Sequence, residues 1–134
     1  MKIFFKYAFI SVIILLNLNC FSRSAGGKQE YGSIVTFKKG DKIEFADLNV
    51  EYTGDRDVKS NFSNGNSFTF HYKDFTVSEP GNPDNKKTVS WTSGTGDIGP
   101  VEFELNNKKF SLELAHSEKL NKWLKEDEMI INKN

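Results

Sequence analysis

The stretch Val101–Leu114, VEFELNNKKFSLEL, decides the fold, because apolar and polar residues alternate on both sides of a central Asn-Asn pair. Alternation with a period of two is typical of a half-buried β-strand. Asparagine tolerates the positive φ angles that a two-residue hairpin turn requires, so Asn106 and Asn107 suit the turn positions. The stretch therefore predicts a β-hairpin with one buried face.

Charged residues set the register of this hairpin. A turn at the two asparagines places Glu104 opposite Lys109, which is a favourable pair. A turn one residue later keeps the same apolar face but places Glu102 opposite Glu113, and like charges disfavour that register. We therefore expect these cross-strand pairs: Val101 with Leu112, Phe103 with Phe110, and Leu105 with Lys108.

Further alternating segments lie on both sides of the hairpin, from Ser33 onward. In KKTVSWTSG, residues 86–94, Val89 and Trp91 are expected to face the core, and MIIN, residues 129–132, is expected to form a brief last strand. The total is about seven short strands separated by turn signals. This pattern predicts an all-β domain, a small antiparallel β-sandwich or barrel.

Two of these segments change the parity of their apolar residues. In residues 42–52 the alternation shifts at Ala46 and Asp47, and in residues 67–77 it shifts at Asp74. A straight strand would expose one of the two apolar sets, because successive side chains point to opposite faces. We expect a β-bulge near Ala46 and Asp47 to restore a single buried face, and the same irregularity at Asp74.

Two other kinds of element complete the expected domain. Leu120, Trp123 and Leu124 have i, i+3, i+4 spacing, which predicts one short C-terminal helix with Ser117 as its cap. The polar stretches 54–67 and 78–87 are expected to be long loops, which serve either recognition or simple connection.

The amino end has the features of an export signal. Lys2 and Lys6 give a positive start, and the apolar run Tyr7–Leu18 follows without any acidic residue. Twelve residues are too few to span a bilayer, which needs about 20 apolar residues. The run instead matches the core of a cleavable signal peptide, so residues 1–19 are predicted to be removed.

Cys20, the single cysteine, stands directly after the apolar run. It could be half of a disulfide, a buried thiol or a lipid attachment point, but one cysteine cannot form an internal disulfide. The position resembles that in a bacterial lipoprotein precursor, where the cysteine after the signal core is lipidated and becomes the first mature residue. Asn17 and Asn19 stand where the usual lipobox has Leu and a small residue, so the box resembles the relaxed ones of spirochaetes.

This resemblance implies a membrane partner and a location. Lipidated Cys20 would anchor the chain in the cell envelope, and we expect the outer membrane rather than the inner one. Residues 20–32 are rich in small and polar residues and are expected to form a flexible tether, followed by one β domain over residues 33–134. The predicted function is binding or recognition at the envelope, with an envelope or extracellular protein as partner.

Charge and composition restrict the other partners. The 18 basic residues balance the 18 acidic ones, and removal of residues 1–19 leaves 16 and 18, a net charge of −2. Without a basic block, nucleic acid is not expected as a partner. His71 and His116 have no ligand-spaced neighbours, and Lys59 occupies a ligand place in the calcium-like stretch from Gly54, so no metal or other cofactor is predicted.

The loop SWTSGTGDIGP, residues 90–100, is the most suggestive candidate site. Ser93, His71 and Asp97 could be imagined as a catalytic triad, but the G-x-S-x-G pattern is missing, and no enzymatic activity is predicted. The TSGTG motif is similar to the Ser-Gly-rich loop of small periplasmic and membrane-bound lysozyme inhibitors. That resemblance implies, as the alternative function, inhibition of a lysozyme-like hydrolase. The candidate binding residues are Ser93, Gly94, Thr95, Gly96 and Asp97.

Overall fold

The computed structural model describes residues 27–93 and 98–134, and every regular element in them is a β-strand. No helix of the length and hydropathy needed to cross a bilayer occurs in these residues. The ten strands are β1 (Ile34–Thr36), β2 (Lys42–Glu44), β3 (Asn49–Asn61), β4 (Ser67–Glu79), β5 (Asn82–Thr92), β6 (Val101–Leu105), β7 (Lys108–Glu113), β8 (His116–Ser117), β9 (Lys122–Trp123) and β10 (Glu128–Lys133).

Two four-stranded antiparallel sheets share one hydrophobic core, which confirms the predicted sandwich. The first sheet has the order β1-β10-β7-β6, and the second has the order β2-β3-β4-β5. A small third sheet pairs β8 with β9. Every buried hydrophobic residue of the described chain lies between Val35 and Ile131. A shorter protein of residues 21–134 therefore keeps all of them. The largest side chains in it that are fully buried include Phe45, Phe75 and Phe110.

The β6–β7 hairpin forms in the predicted register. Phe103 lies opposite Phe110, and Glu104 lies opposite Lys109. Asn106 and Asn107 have φ angles of 51° and 58°, the left-handed conformation that such a turn needs. Phe103 and Phe110 stack with their ring centroids 5.5 Å apart, so the predicted apolar face is a face of the core.

The first parity change is a turn, and the bulge predicted near Ala46 and Asp47 is wrong. β2 ends at Glu44 and β3 begins at Asn49, and the N–H of Phe45 donates to the carbonyl of Leu48 at 2.7 Å across the reversal. Because the chain reverses direction here, Phe45 and Leu48 both face the core, although one has an odd number and the other an even number. Both are fully buried. A turn therefore solves the problem that we assigned to a bulge.

The second parity change has a different cause. β4 keeps its pairing register through Asp74, and the irregularity lies on the partner strand, between Tyr52 and Gly54 of β3. β4 is thus one straight strand that uses both faces. Its odd-numbered Phe75 and Val77 face the core, whereas Phe68, Phe70 and Tyr72 face the other way.

The expected C-terminal helix is absent from the described residues. Ser117 does accept a hydrogen bond from the N–H of Leu120, as a cap would, but His116 and Ser117 pair with β9 and form a small hairpin. Asn121 lies at its turn with a φ of 47°, a conformation that no helix continues. Of the three residues that suggested a helical face, only Leu124 is buried, whereas Trp123 is 69 % exposed.

Both predicted long loops are hairpins instead. Residues 54–67 form most of the outer half of β3 and a short turn, and residues 78–87 form the ends of β4 and β5 with a turn at Gly81. Polar composition misled the prediction, because strands that project into solvent need no apolar alternation on either face.

Candidate functional site

A two-stranded arm projects from the sandwich and is the most distinctive surface of the described chain. We define the arm as residues 56–72, the part of the β3–β4 hairpin beyond the pair Asp55↔Lys73. Its strands pair continuously as far as Asn61↔Ser67, which is about 20 Å at roughly 3.3 Å per residue. No residue of the arm belongs to the buried core.

One face of the arm is aromatic. The side chains of Phe68, Phe70 and Tyr72 point to this face, and Val58 lies opposite Phe70 on the neighbouring strand. The ring centroids of Phe68 and Phe70 are 5.0 Å apart in an edge-to-face arrangement, and those of Phe70 and Tyr72 are 6.4 Å apart. Phe68 is 41 % exposed, so water contacts a row of rings that no described residue covers completely. We call these four residues the aromatic face.

A charged cluster fixes the base of the aromatic face. The Arg56 guanidinium lies 4.4 Å from the ring centre of Tyr72 and donates to the Asp74 carboxylate at 2.9 Å. The Ser90 hydroxyl donates to the same carboxylate at 2.6 Å. The Arg56 hydrogen bond holds the pKa of Asp74 below its ordinary value. Asp74 thus joins three strands and aligns the arm with the second sheet.

The opposite face of the arm carries cross-strand ion pairs. Asp57 and His71 are 2.7 Å apart and both are well exposed, and Asp55 and Lys73 lie 3.3 Å apart at the arm's base. Exposed pairs of this kind add little stability, because solvent screens them. This face is therefore a solvated surface, in contrast to the aromatic face.

A shallow cleft of about 520 Å³ lies beside the base of the arm. Tyr52 donates a short hydrogen bond to Asp55 there, and Lys73 lies 5.6 Å from the centre of the Tyr52 ring. Burial is the main cause of the raised pKa of the Tyr52 hydroxyl, and the Tyr52 hydrogen bond is the main cause of the lowered pKa of Asp55. The cleft is wide open, and the polar groups of Tyr52 and Lys73 both donate to the Asp55 carboxylate.

The predicted binding loop is only partly described. Ser93 lies beside the start of the arm, where its N–H donates to the carbonyl of His71 at 3.2 Å. Gly94, Thr95, Gly96 and Asp97 lie outside the described residues, as does Cys20.

His71 uses its side chain for the pair with Asp57, so the described contact between His71 and Ser93 is a backbone contact. In the described ranges, no group of three or more His, Cys, Asp or Glu residues could hold a metal ion. The second histidine, His116, packs edge-to-face on Trp123 with centroids 4.9 Å apart.

Comparisons with protein-family models, curated proteins and solved structures give no match for this chain.

Sequence reasoning missed the aromatic face, although two signals for it are present. Asn64-Gly65 is a strong hairpin-turn signal, and the stretch of high strand propensity at residues 68–72 follows it closely. The parity change at Asp74 marks the point where apolar residues leave the core side of β4. Together these signals predict an extended hairpin with an outward-facing aromatic row.

Proposed function

We propose that this chain is a membrane-anchored lipoprotein that presents a small β domain for binding or recognition at the cell envelope. The aromatic face of the arm is the surface that makes the contact. The observation that carries the proposal is the row of Phe68, which is exposed, and of Phe70 and Tyr72, which are half-buried, on a projecting hairpin outside the core.

The arrangement of the arm supports binding better than a role in stability. Rings that serve folding are covered by a second layer, as Phe75 is, whereas the aromatic face points away from the core side of β4. Contiguous exposed apolar patches mark interaction surfaces and ligand-binding grooves. Aromatic side chains also supply large contact area at low entropic cost, which makes them common anchors at interfaces.

The place where the chain enters the domain supports presentation away from an anchor. The N–H of Gln29 donates to the carbonyl of Glu44, which pairs with Asn49 at the first end of β3. The turn of the arm lies beyond Asn61 at the other end of the same strand, about 40 Å away at roughly 3.3 Å per residue. A lipid at Cys20 would therefore hold the domain by the end opposite to the arm.

Capture from envelope extracts tests the binding proposal. Residues 21–134 are immobilised and compared with the double variant Phe68→Ser/Phe70→Ser, which changes only the aromatic face. The matched control is Thr69→Ser/His71→Ser, which changes the solvated face of the same strand. We expect the first variant to lose a retained component that the wild type and the control both keep. Equal retention by all three proteins would contradict the proposal.

Metabolic labelling tests the anchor separately. Cells that express the full chain are given a palmitate analogue, and the wild type is compared with Cys20→Ala. We expect label on the wild type only. Equal labelling of both chains, or none on either, would reject lipidation at Cys20.

Inhibition of a lysozyme-like hydrolase through Ser93–Gly96 is the second candidate function. It is favoured by the backbone bond that fixes Ser93, the first residue of this motif, beside the arm. Titration of residues 21–134 into lysozymes of several classes measures it directly. We expect inhibition that Ser93→Ala weakens, and activity unchanged in every class would reject this function.

A further inference from the structure

The exposed large hydrophobic side chains of the described residues lie in two places. Phe62 and Phe68 belong to the arm, and Leu120 and Trp123 belong to the β8–β9 hairpin. Binding by the arm gives a role to the first pair only. The second pair is 44 % and 69 % exposed, so it is open to a contact of its own.

The β8–β9 hairpin presents both of these side chains outward. Ser117 is fully buried, so Trp123, which pairs with the neighbouring His116, lies on the opposite face of the hairpin. The Trp123 ring contacts the His116 ring and leaves most of its surface in water. Leu120 lies in the turn that joins the two strands, which is the tip of the hairpin.

The tip lies at the end of the domain where the chain enters. The Lys119 Nζ atom is 3.9 Å from the position that a Cβ atom on Gly32 would take. Gln29 is three residues from Gly32, at most about 11 Å, and its N–H donates to the Glu44 carbonyl beside the first residue of β3. The arm is at the other end of β3, so the hairpin tip and the arm lie at opposite ends of the domain.

The length of the chain limits where a lipid at Cys20 can be. Gly27 is the first described residue, and the seven residues back to Cys20 span at most about 25 Å. This limit holds for any path of residues 21–26. The hairpin tip lies beside Gly32, five residues after Gly27, so the bilayer that holds such a lipid is within reach of the tip.

We propose that Leu120 and Trp123 insert into the headgroup layer of this bilayer and orient the arm away from the membrane. The inference rests on the proposed anchor at Cys20. Tryptophan concentrates at membrane–water interfaces because its indole combines a large apolar surface with one N–H donor. Lys119 and Lys122 are exposed beside the two apolar side chains, and lysine places its ammonium group among headgroups while its stem covers apolar surface.

A bilayer fits this tip better than a protein partner does. Two apolar side chains cover far less than the roughly 800 Å² that each partner contributes to a standard protein interface. A weak interfacial contact is sufficient where an anchor holds it at the surface, because the tether raises its effective concentration. The tip therefore orients a domain that the lipid already retains.

Chemical coupling to vesicles tests the orientation. The predicted mature chain, residues 20–134, has Cys20 as its single cysteine, so the thiol can be joined to a maleimide headgroup lipid in phosphatidylcholine vesicles. Brominated acyl chains in these vesicles quench tryptophan fluorescence only at short range. Trp91 is buried in the core and supplies a background, which Trp123→Phe measures. The matched control is Cys20→Ser/Ser63→Cys, which places the lipid at the turn of the arm.

We expect the fluorescence of Trp123 to be lost when Cys20 is coupled and to be kept when the Ser63→Cys chain is coupled. Leu120→Ser should reduce the loss. Equal loss in both arrangements would overturn the proposal, because the position of the anchor would not decide the contact. Undiminished fluorescence after coupling at Cys20 would also overturn it, since Trp123 would then face water. The coupling is chemical, so this result and the palmitate labelling of Cys20 can fail separately.

Discussion

The β3–β4 hairpin has two halves that contain similar residues but have different environments. In the inner half, Val50, Tyr52, Phe75 and Val77 form cross-strand pairs and are buried in the core. In the outer half, Val58 pairs with Phe70 and the neighbouring aromatic residues lie in the same strand, yet none of them is buried. The difference is the face of the sheet, because the inner residues point to the face that packs on the first sheet, whereas the outer aromatic residues point to the opposite face.

Comparison of the halves shows that burial depends on the face to which a side chain points, not on the type of residue. The bulge between Tyr52 and Gly54 moves the following side chains of β3, Val58 among them, to the face that carries Phe70. The arm therefore keeps an apolar face that stabilises the core very little. A surface of that kind is available for binding.

Truncation of a ring in each half should give the largest contrast. Phe75→Ala leaves a cavity in the core and should lower the free energy of unfolding by about 3–5 kcal/mol. Phe70→Ala lies on the arm and should lower it by less than about 1 kcal/mol. Urea unfolding of residues 21–134 measures both values. Similar losses for the two variants would show that the arm belongs to the folding core.

The cluster at the junction of the two halves should have an intermediate effect. Asp74→Ala removes the carboxylate that Arg56 and Ser90 share and should cost about 1 kcal/mol, since the pair is partly exposed. A double-mutant cycle with Arg56→Ala measures the coupling. Additive effects of the two substitutions would mean that this pair does not align the arm.

Stability should also fall in acid, and Asp74 should account for part of the decrease. The pKa of Asp74 is lowered in the folded chain by the Arg56 hydrogen bond, and the pKa of Asp55 is lowered by the Tyr52 hydrogen bond. A lowered folded-state pKa contributes stability above the unfolded value of about 3.9, and this contribution is lost as the pH falls through the folded value. Unfolding measured from pH 5 to pH 2 should therefore show a shallower decrease for Asp74→Asn. An unchanged slope would reject this assignment.

Removal of the arm should have the smallest effect on the fold. Replacing residues 57–71 with Asn-Gly closes a two-residue turn on the Arg56↔Tyr72 pair and keeps the Asp74 cluster. We expect cooperative unfolding with a midpoint close to that of the parent domain, because no core residue is removed. Loss of cooperativity would contradict the division of the hairpin into two halves.

The pairing of strands within one hairpin could be predicted from the sequence. The burial of a side chain by strands that are distant in the sequence could not. The β6–β7 register followed from the charges on Glu104 and Lys109 and from a turn that asparagine favours. The faces of Val89 and Trp91 followed from simple alternation, and both are buried. Each of these features depends on residues within one hairpin.

The arm and the small β8–β9 hairpin were missed because tertiary contacts decide them. Nothing near Phe70 in the sequence says that the bulge lies on β3 and not at Asp74, so the alternation predicts a strand that packs wholly in the core. Likewise, Leu120 and Trp123 have helical spacing but are exposed, and the strand pairing of His116 with Trp123 overrides that local pattern.

Hydrogen exchange at two amides of β4 tests the central claim most directly. The N–H groups of Phe70 and Thr76 both point toward β3, one in the arm and one in the body of the sandwich. We predict that Phe70 exchanges by local opening and Thr76 only by global unfolding, so Phe75→Ala should speed exchange at Thr76 and leave Phe70 unchanged. Equal protection of both amides, and an equal response to Phe75→Ala, would contradict the account.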